Sequence, residues 1–424
     1  MNDENVKALE RKFKTFILPF QMGVYLGVNA VSDAALVSDG PNCAVPKAEF
    51  IYGNHDANST LFSPDGFHRL FYTMSHPLKQ QGNPEEKIEA VLSVLARSGH
   101  YGIVLVTGLP FQALAGMDYE GMASAMKEPV PVASVPPKSL EHDWLEGYAL
   151  TLKAFAAALP AVHKKSGLRK NTVAAAGYFF DRNEGDQRGN IAEMKRLLSS
   201  CGLELVSVFP DGGSFAGLSA ALEAEYVISM PYGRAAAEII AAKSGAKLIE
   251  TGLPAGFRGT TEWIEKICDA AGIKVPDSIY EEEKNSREQY LRISSVLRHK
   301  PVLYAGEPHL FGALKGFLKE IGMRPDYAVF DCAPAKLANP AEYVLFSPST
   351  EQVWNFVSSL KGFDRPAVMI GCSFAVSEGF AKGIPCIEIG FPCYSRHCFI
   401  EEPFLGFRGA LNLTAMLLNS QLSS

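Results

Sequence analysis

Short apolar runs alternate with longer amphipathic stretches along the whole chain. Runs such as Ala35–Ser38, Ile103–Thr107 and Pro301–Gly306 have the length of buried strands, whereas Pro84–Ser98 carries apolar residues at helical spacing. The proline that begins this last stretch is followed by two glutamates, which is typical of a helix N-terminus. The alternation predicts an α/β fold in which helices connect the strands of parallel sheets.

The alternation falls into three blocks, which we predict to be domains at residues 1–163, 164–296 and 297–424. The second and third blocks open with TVAAAGYFF and PVLYAGEPH, and both openings read as a strand followed by an Ala-Gly turn and a helix. This weak repeat predicts three Rossmann-like domains with parallel sheets around a central cleft. We expect a C-terminal helix at Gly406–Asn419.

Two further elements are predicted in the first block. The apolar run Phe16–Pro19 has the composition of a strand, and Phe111–Met126 has the spacing of one helix. We therefore expect the first block to begin with a strand and to carry a single helix after Ile103–Thr107.

The charge pattern argues against a nucleic-acid-binding protein and against a membrane protein. The 424 residues carry a formal net charge of -6 and contain no run of Lys and Arg that would neutralise a row of phosphates. No run of about 18 apolar residues occurs, and the N-terminal MNDENVKALERKFKTF is charged rather than signal-like. We expect a cytoplasmic protein.

Eight cysteines are present, and none forms a C-x-x-C pair of the zinc-ribbon type. In a cytoplasmic chain they are predicted to be thiols rather than disulfides. Four of them lie between Cys372 and Cys398, and the spacing of Cys393 and Cys398 is one that iron-sulfur clusters use. The eight are Cys43, Cys201, Cys268, Cys332, Cys372, Cys386, Cys393 and Cys398.

The first of these cysteines has the most informative surroundings. The strand Ala35–Ser38 breaks at Gly40-Pro41-Asn42, and Cys43 follows near a predicted helix N-terminus, where thiolate is favoured. A thiolate there would ligate iron or attack an electrophile, and the alternative is a small buried cysteine. Asp39 and His55 are further candidate ligands, with a turn acceptor and a loop histidine as their alternatives.

The third block places a second group of candidates near strand ends. Cys372, Cys393 and Cys398 lie on the side of an open α/β sheet where ligands bind, although each has a structural alternative. His397 is a candidate proton donor to a bound group, and the alternative is an ordinary surface histidine. Cys386 is expected to be buried in an apolar strand.

The second block contains a candidate anion site. Tyr232 and Arg234 follow the predicted strand Tyr226–Met230, where a helix N-terminus and a guanidinium would hold an anionic group. The alternative is a helix start that packs domains together. The chain has neither G-x-G-x-x-G nor G-x-x-x-x-G-K, so no nucleotide is predicted to bind.

Several stretches together resemble the component 1 family of nitrogenase, which includes nitrogenase subunits, their cofactor-assembly scaffold and related reductases of tetrapyrroles. LVSDGPNC, ending at Cys43, is similar to the family segment His-Gly-Pro-x-Gly-Cys, and residues 103–118, 129–155 and 226–264 also match. The most specific stretch is 388–413, in which a Phe-Pro strand end precedes Gly-Phe-x-Gly-Ala.

The resemblance implies a subunit of a nitrogenase-like, ATP-dependent reductase. Such a subunit receives electrons from a separate iron-sulfur ATPase and reduces a substrate or cofactor in the interdomain cleft. It implies a four-iron four-sulfur cluster shared across the interface with a homologous subunit, in a hetero- or homo-oligomer. Two alternatives stay open: a non-catalytic scaffold for metallocluster or tetrapyrrole assembly, and a cluster-free structural subunit. The candidate metal ligands are Cys43, Asp39, Cys393, Cys398 and Cys372.

This sequence also departs from the family pattern. Asp39 and Asn42 replace the usual His and Gly, and Gly108 stands where the family has its second cysteine. The region Phe20–Gly23 lacks the third cysteine. Met230 and Gly390 occupy the neighbourhoods of the cysteine and histidine that hold the molybdenum-iron cofactor. The departures argue against nitrogen fixation by this chain.

Overall fold

Parallel sheets form the framework of the structure, a computed structural model that describes residues 17–63, 66–75, 83–161, 167–335, 340–381 and 383–422. In these residues three sheets occur, and every strand pair in them is parallel. The predicted α/β class is therefore confirmed.

The chain divides into two compact units. The first contains Pro19–Glu184 and Gly202–Thr251, with two of the sheets. The second contains the described parts of Met1–Leu18, Gly185–Cys201 and Gly252–Ser424, with the third sheet. The domain bounds 1–163, 164–296 and 297–424 stay a prediction.

The first sheet has the strand order β2-β1-β3-β4. Its central strands β1 and β3 are buried at every position, as their continuous apolar runs require in a sheet covered on both faces. Ser38 lies next to Tyr72 on one side and Thr107 on the other. The strands are β1 (Ala34–Asp39), β2 (Leu70–Tyr72), β3 (Ile103–Gly108) and β4 (Val132–Ser134).

Helices connect these strands. The third of them begins as predicted, because the Asn83 side chain accepts a hydrogen bond from the Glu85 amide and Pro84 occupies the first turn. Its buried face, which includes Leu92, packs on β1 and β3. The helices are α1 (Phe20–Asn29), α2 (Ala44–Glu49), α3 (Pro84–Arg97), α4 (Pro110–Leu114), α5 (Tyr119–Ala125) and α6 (Trp144–Ala158).

The strand predicted at Phe16–Pro19 is wrong where the structure describes it. Residues 17 and 18 have no regular structure, Pro19 makes one isolated bridge, and α1 begins at Phe20. Phe16 lies outside the described residues. The helix α1 escaped prediction because all of its residues are buried, so no polar face reveals a helical period.

The single helix predicted at Phe111–Met126 is two short helices, α4 and α5. Gly116 between them adopts a φ of 73°, which ends the first helix. Asp118 then caps the second helix, because its side chain accepts a hydrogen bond from the Gly121 amide. The apolar spacing continued across the break and concealed it.

The second sheet has the strand order β6-β5-β7-β8. Its strands are β5 (Arg169–Ala176), β6 (Glu204–Phe209), β7 (Ala224–Ser229) and β8 (Lys247–Glu250). The helices in this stretch of chain are α7 (Gly185–Ser200) and α8 (Arg234–Ser244), with 3-10 turns at Ala216–Glu223 and Pro231–Gly233. Gly245, with a φ of 79°, ends α8 as a left-handed cap.

The third sheet has the strand order β11-β10-β9-β12-β13. Its strands are β9 (Pro301–Gly306), β10 (Arg324–Phe330), β11 (Tyr343–Phe346), β12 (Val368–Gly371) and β13 (Cys386–Glu388). The helices are α9 (Phe257–Ala271), α10 (Asp277–Leu291), α11 (Pro308–Glu320), α12 (Thr350–Ser359), α13 (Ser373–Ala381) and α14 (Gly406–Leu422), with 3-10 turns at Ser294–Val296 and Gly362–Asp364. The C-terminal helix thus begins at Gly406 as predicted.

No helix in the described part of the chain has both the length and the apolar character needed to cross a bilayer.

Candidate functional site

The carboxyl edge of the first sheet presents Cys43. The strand order changes direction between β1 and β3, and the ends of such strands are where open α/β sheets bind ligands. Gly40 leaves β1 with a φ of 145°, and a Cβ there would lie 2.7 Å from Leu109. The turn ends at Cys43, which precedes α2 and is exposed. The predicted position near a helix start is therefore found, and the thiol faces solvent.

Asp39 lies at the same edge, but it is fully buried. One of its carboxylate oxygens accepts a hydrogen bond from the Tyr119 hydroxyl at 2.8 Å, and the other accepts one from the Thr73 hydroxyl. The Gly40 amide donates to Thr73 in turn, at 3.0 Å. Burial, reinforced by the Asp39 charge, raises the pKa of Tyr119, so the phenol stays a donor. Asp39 thus joins segments that follow β1, β2 and β3.

The surroundings of Gly108 give a structural reason for one departure from the family pattern, the glycine in place of the second cysteine. It is the last residue of β3 and lies opposite Asp39. A Cβ at this position would lie 2.6 Å from the Tyr119 hydroxyl, closer than real Cβ contacts. A cysteine at position 108 would therefore displace the phenol that donates to Asp39. The sequence carries no pattern that would have identified Tyr119 or Thr73 as partners of Asp39.

His55 and the neighbouring Asp56 belong to a second buried polar group in the same unit. The Nε2 atom of His55 lies 3.4 Å from an Asp181 carboxylate oxygen, and both side chains are almost fully buried. One oxygen of Asp56 accepts hydrogen bonds from the Asn29 and Asn183 side-chain amides, both at 2.8 Å. The structure therefore buries His55 against Asp181, beside the hydrogen bonds from Asn29 and Asn183 that hold Asp56.

Tyr232 and Arg234 lie at the carboxyl end of β7. Tyr232 is buried, and its ring stacks on Phe179 with centroids 5.0 Å apart. The Arg234 guanidinium donates to the backbone carbonyls of Ser229 and Thr251, each at 3.0 Å, and its side chain is 37% exposed. Both residues therefore make packing contacts that hold the ends of β7 and β8, and binding of an anion by them stays a prediction.

Cys372 lies at the point where the third sheet changes direction, between β9 and β12. It follows β12 directly, is 1% exposed, and belongs to the core cluster that includes Leu303 and Met369. Its amide donates to Ala305 at 3.0 Å. The thiol is therefore surrounded largely by apolar side chains.

The loop after β13 holds Cys393, His397 and Cys398. The Cys393 thiol donates to the Arg396 carbonyl at 3.4 Å, and both cysteines are buried. His397 is half-buried. The Cys398 carbonyl accepts a hydrogen bond from the Gly185 amide at 2.6 Å. The predicted metal ligands of this loop are thus held within the protein interior.

Glu388, which sequence reasoning missed, anchors that loop. Its buried carboxylate accepts hydrogen bonds from the Ser373 hydroxyl and from the amides of Tyr394 and Ser395, the last two at 3.2 and 3.0 Å. Burial, together with nearby Cys372 and Glu388, raises the pKa of Tyr394. The signal available in the sequence was a single charged residue within the apolar run CIEIGFP.

A complete metal site requires several ligands close together. Among the residues that the structure describes, no group of three or more His, Cys, Asp or Glu side chains is arranged to hold a metal ion. Asp39 and Cys43 lie near each other at one sheet edge, whereas Cys372, Cys393 and Cys398 belong to the second unit. The described residues of one chain therefore do not form a complete iron-sulfur site, although the exposed Cys43 fits one ligand of a shared cluster.

Comparison with known proteins supports the resemblance seen in the sequence. A family model for nitrogenase component 1 type oxidoreductases matches residues 22–422. The nitrogenase molybdenum-iron protein beta chain of Acidithiobacillus ferridurans is 24% identical over 310 residues, covering 66% of this chain and 56% of that protein. The vanadium-iron protein beta chain of Trichormus variabilis is 22% identical over 267 residues, covering 55% and 58%. The chain thus matches little more than half the length of these relatives.

Solved structures share the fold. Nitrogenase Cp1 at pH 6.5 superposes with a TM-score of 0.81 at 17% identity, covering 97% of this chain and 93% of that one. Nitrogenase Cp1 at pH 5 gives a TM-score of 0.68 at 15% identity, covering 94% and 88%. At these identities the likeness establishes the fold alone.

Proposed function

Because this chain belongs to the nitrogenase component 1 type oxidoreductase family, we propose that it is a subunit of a nitrogenase-like, ATP-dependent reductase. It receives electrons from a separate iron-sulfur ATPase and passes them to a bound substrate or cofactor. The partner handles ATP, since this sequence has no G-x-x-x-x-G-K motif.

The exposed Cys43 thiol is the observation that carries this proposal. It lies at the carboxyl edge of the first sheet, directly before α2, and its carbonyl accepts a hydrogen bond from the Lys47 ammonium at 3.1 Å. An exposed thiol at a sheet edge is available to a second subunit. We assign Cys43 as one ligand of a four-iron four-sulfur cluster, with the remaining ligands supplied across a subunit interface. When bound, such a cluster supplies one-electron transfer.

Asp39 is the weaker candidate ligand at this edge. Its carboxylate oxygens accept hydrogen bonds from Tyr119 and Thr73, and its side chain is fully buried. Coordination of iron would require the carboxylate to leave at least one of these donors, which would cost the energy of a buried hydrogen bond. We therefore place Asp39 as a support for the Gly40 turn that presents Cys43.

The residues of the other two sheets have proposed roles toward the bound substrate or cofactor. In the first unit, Tyr232 and Arg234 would hold an anionic group. In the second unit, His397 would donate a proton to a group bound there. The partial exposure of Arg234 and the half-buried position of His397 leave both accessible to a small molecule. Cys372, Cys393 and Cys398 are the alternative metal ligands if Cys43 is not used.

Replacement of Cys43 by Ala tests the assignment. The protein is produced anaerobically with its homologous partner, and iron content, visible absorption and circular dichroism are measured. Loss of one thiolate ligand should lower the iron content by about half or more, or make the cluster labile to oxygen, without changing the circular dichroism. If Cys43 were only structural, its replacement by Ala would lower the free energy of unfolding by about 1 kcal/mol or less and leave the iron content unchanged.

Cys386→Ala is the matched control, because Cys386 is a half-buried thiol whose Sγ donates to the Ile384 carbonyl at 3.1 Å. We expect it to keep the iron content of the unsubstituted protein. Absence of iron from the unsubstituted protein after anaerobic reconstitution with its partner would overturn the assignment.

The second candidate is an assembly scaffold or a cluster-free structural subunit. Contact between Gly108 and Tyr119 favours it, because the phenol occupies the space in which a second cysteine of this chain would lie. A measurement of catalytic turnover distinguishes the reductase from the scaffold and from the structural subunit. A reductase consumes electrons catalytically with the ATPase and an added substrate, a scaffold hands its cargo to another protein unreduced, and a structural subunit does neither.

A further inference from the structure

Two large apolar side chains lie next to each other on the surface of the loop that follows β13. Phe399 is 80% exposed, and its neighbour Ile400 is 68% exposed. Adjacent exposed apolar side chains, and aromatic ones above all, are typical of surfaces that bind another protein. Both residues belong to the second unit, and neither takes part in the sites described above.

The start of α7 holds the backbone around these two side chains in place. The Gly185 amide donates to the Cys398 carbonyl at 2.6 Å, and the Glu402 amide donates to the Gly185 carbonyl at 3.3 Å. A Cβ at position 185 would lie 1.9 Å from the Ile400 carbonyl oxygen, so this close approach requires glycine. Because the loop is held before binding, a partner would lose less conformational entropy in ordering it.

Hydrogen bonds from α7 and α14 also hold the end of the loop. The Asn190 side-chain oxygen of α7 accepts hydrogen bonds from the amides of Phe404 and Leu405, at 2.9 and 3.0 Å. The Asn412 side-chain amide of α14 donates to the Pro403 carbonyl at 2.9 Å. The loop is therefore held on both sides of its exposed apolar residues.

A cavity lies beside the same loop. Its volume is about 270 Å³, and residues 401–403 line it together with parts of α7 and α14. Pockets for cofactors and drug-sized ligands occupy roughly 300–1,000 Å³, so this cavity is better matched to one long side chain. Its lining begins directly after Ile400 in the chain, so one bound segment can reach both the cavity and the exposed apolar residues.

Three glutamates and Arg408 are the charged residues of the cavity lining. The buried Glu193 carboxylate pairs with Arg196 at 2.8 Å and with Arg408 at 3.7 Å. Its charge, and that of Arg408, are therefore already compensated within the protein.

The other two glutamates differ in their partners. Glu402 pairs with Arg396 at 2.5 Å, whereas Glu401 is exposed and makes no ion pair with any residue that the structure describes. The charge left without a counterpart at the cavity is therefore the negative charge of Glu401. This charge favours a cationic group and disfavours an anionic lipid surface.

We propose that the loop and the cavity form a docking surface for a segment of a partner protein in which a lysine or arginine lies next to a large apolar side chain. The cationic side chain enters the cavity beside Glu401, and the apolar side chain covers Phe399 and Ile400. Burial of the apolar side chains supplies most of the affinity, and the cation fixes the register of the segment. This surface is separate from Cys43, which belongs to the first unit.

Fluorescence anisotropy of the full chain with two fluorescein-labelled tripeptides tests the proposal. The peptide Leu-Lys-Leu should bind with a Kd of about 1 mM or lower. The peptide Leu-Glu-Leu should bind about tenfold more weakly or not at all, because its carboxylate would meet Glu401. Absence of binding by the lysine peptide up to about 10 mM, or equal binding of both peptides, would overturn the proposal.

Surface variants locate the binding site of the lysine peptide. Phe399→Ser and Glu401→Lys should each weaken its binding by about tenfold or more, without changing the circular dichroism. Phe363→Ser and Glu141→Lys are the matched controls and should keep the affinity, because these side chains are 94% and 70% exposed elsewhere in the chain. Unchanged binding in Phe399→Ser or in Glu401→Lys would overturn the assignment.

Sedimentation of the chain without peptide tests the other occupant, a second copy of the chain. We expect Phe399→Ser to leave the sedimentation coefficient unchanged. Self-association that Phe399→Ser abolishes and Phe363→Ser preserves would assign the exposed residues to a contact between two copies, and would overturn the proposal.

Discussion

At residue scale, the missing side chain of Gly108 determines what occupies the carboxyl end of β3. The Tyr119 ring fills the space where a Cβ would project, and its hydroxyl reaches the Asp39 carboxylate at 2.8 Å. The buried carboxylate is stabilised by this donor and by Thr73. One glycine thus permits a polar network at an edge where the family resemblance implies a cysteine.

Gly108→Ala should destabilise the protein by about 1–3 kcal/mol, because the added methyl group would contact the Tyr119 ring and hydroxyl and weaken the bond to Asp39. Urea unfolding measures the change. Gly259→Ala in α9 is the matched control, since the added Cβ would project into open space. It should be neutral or stabilising by about 1 kcal/mol or less. Similar losses in both variants would contradict this account.

At element scale, Arg69 joins α1 to β1. Its side chain is 4% exposed, and one terminal nitrogen donates to the carbonyls of Val28, Val31 and Ala34 at 2.8–2.9 Å. Burial lowers the pKa of Arg69 to about 10, with the charges of Asp33 and Asp56 opposing this shift. The guanidinium therefore ties together a carbonyl in the last turn of α1, one in the loop that follows and one at the start of β1.

Arg69→Met should lower the free energy of unfolding by about 3 kcal/mol, because three buried carbonyls each lose a hydrogen bond from a charged donor. Arg97→Met removes a guanidinium that is 66% exposed and pairs with Glu128 at 2.7 Å. We expect this control substitution to lower the free energy of unfolding by about 1 kcal/mol or less. Urea unfolding followed by circular dichroism measures the free energy of unfolding of both variants. Equal losses of stability would show that the burial of Arg69 does not cause its larger contribution.

Glu320 of α11 caps the start of α9 by accepting hydrogen bonds from the amides of Phe257 and Arg258, each at 2.9 Å. Burial raises the pKa of Glu320 above 4.5, although these amides and the Arg287 charge oppose the shift. The folded state therefore binds the Glu320 proton more tightly than the unfolded state does. The stability that this proton contributes is present at acid pH and is lost as pH rises through the raised pKa.

The stability of the unsubstituted protein relative to Glu320→Gln should consequently fall as pH rises from about 4.5 toward 7. Urea unfolding midpoints at several pH values measure the difference. Glu141→Gln is the control, because the Glu141 side chain is 70% exposed. The difference in unfolding midpoint between Glu141→Gln and the unsubstituted protein should be nearly independent of pH. A relative stability that rises with pH would refute the assignment.

At the scale of the whole molecule, the number of metal ligands that one chain offers determines the oligomeric state that we propose. The described residues contain no group of three metal-binding side chains, and Cys43 is exposed. A four-iron cluster needs four ligands, so the cluster that we propose at Cys43 would be shared between subunits. Oligomerisation would then be a condition for holding iron.

Analytical ultracentrifugation of the anaerobic protein should therefore find iron only in oligomers, either with a homologous subunit or between two copies of this chain. Separation of the subunits by mild denaturant should release iron in parallel with dissociation. A monomer that retains four irons would exclude the shared site. In that case, Ala variants of Cys372, Cys393 and Cys398 should lower the iron content.

Local sequence determined the elements whose signals are local. The apolar runs predicted β1, β3 and β9, and the proline with its acidic neighbours predicted the start of α3. The Gly40-Pro41 turn placed Cys43 at a sheet edge. A strand, a cap or a turn depends on residues a few positions apart, so its pattern is visible in the chain.

Tertiary structure decided the rest because the stabilising contacts join distant positions. All residues of α1 are buried, so its helical period has no polar face to show. Tyr119 donates to Asp39 across 80 positions, and Ser373 reaches Glu388 across 15. Burial also separated cysteines that look alike in sequence, leaving Cys43 exposed while Cys372, Cys393 and Cys398 lie inside. Desolvation depends on what the folded chain brings around each side chain, and no local pattern contains that information.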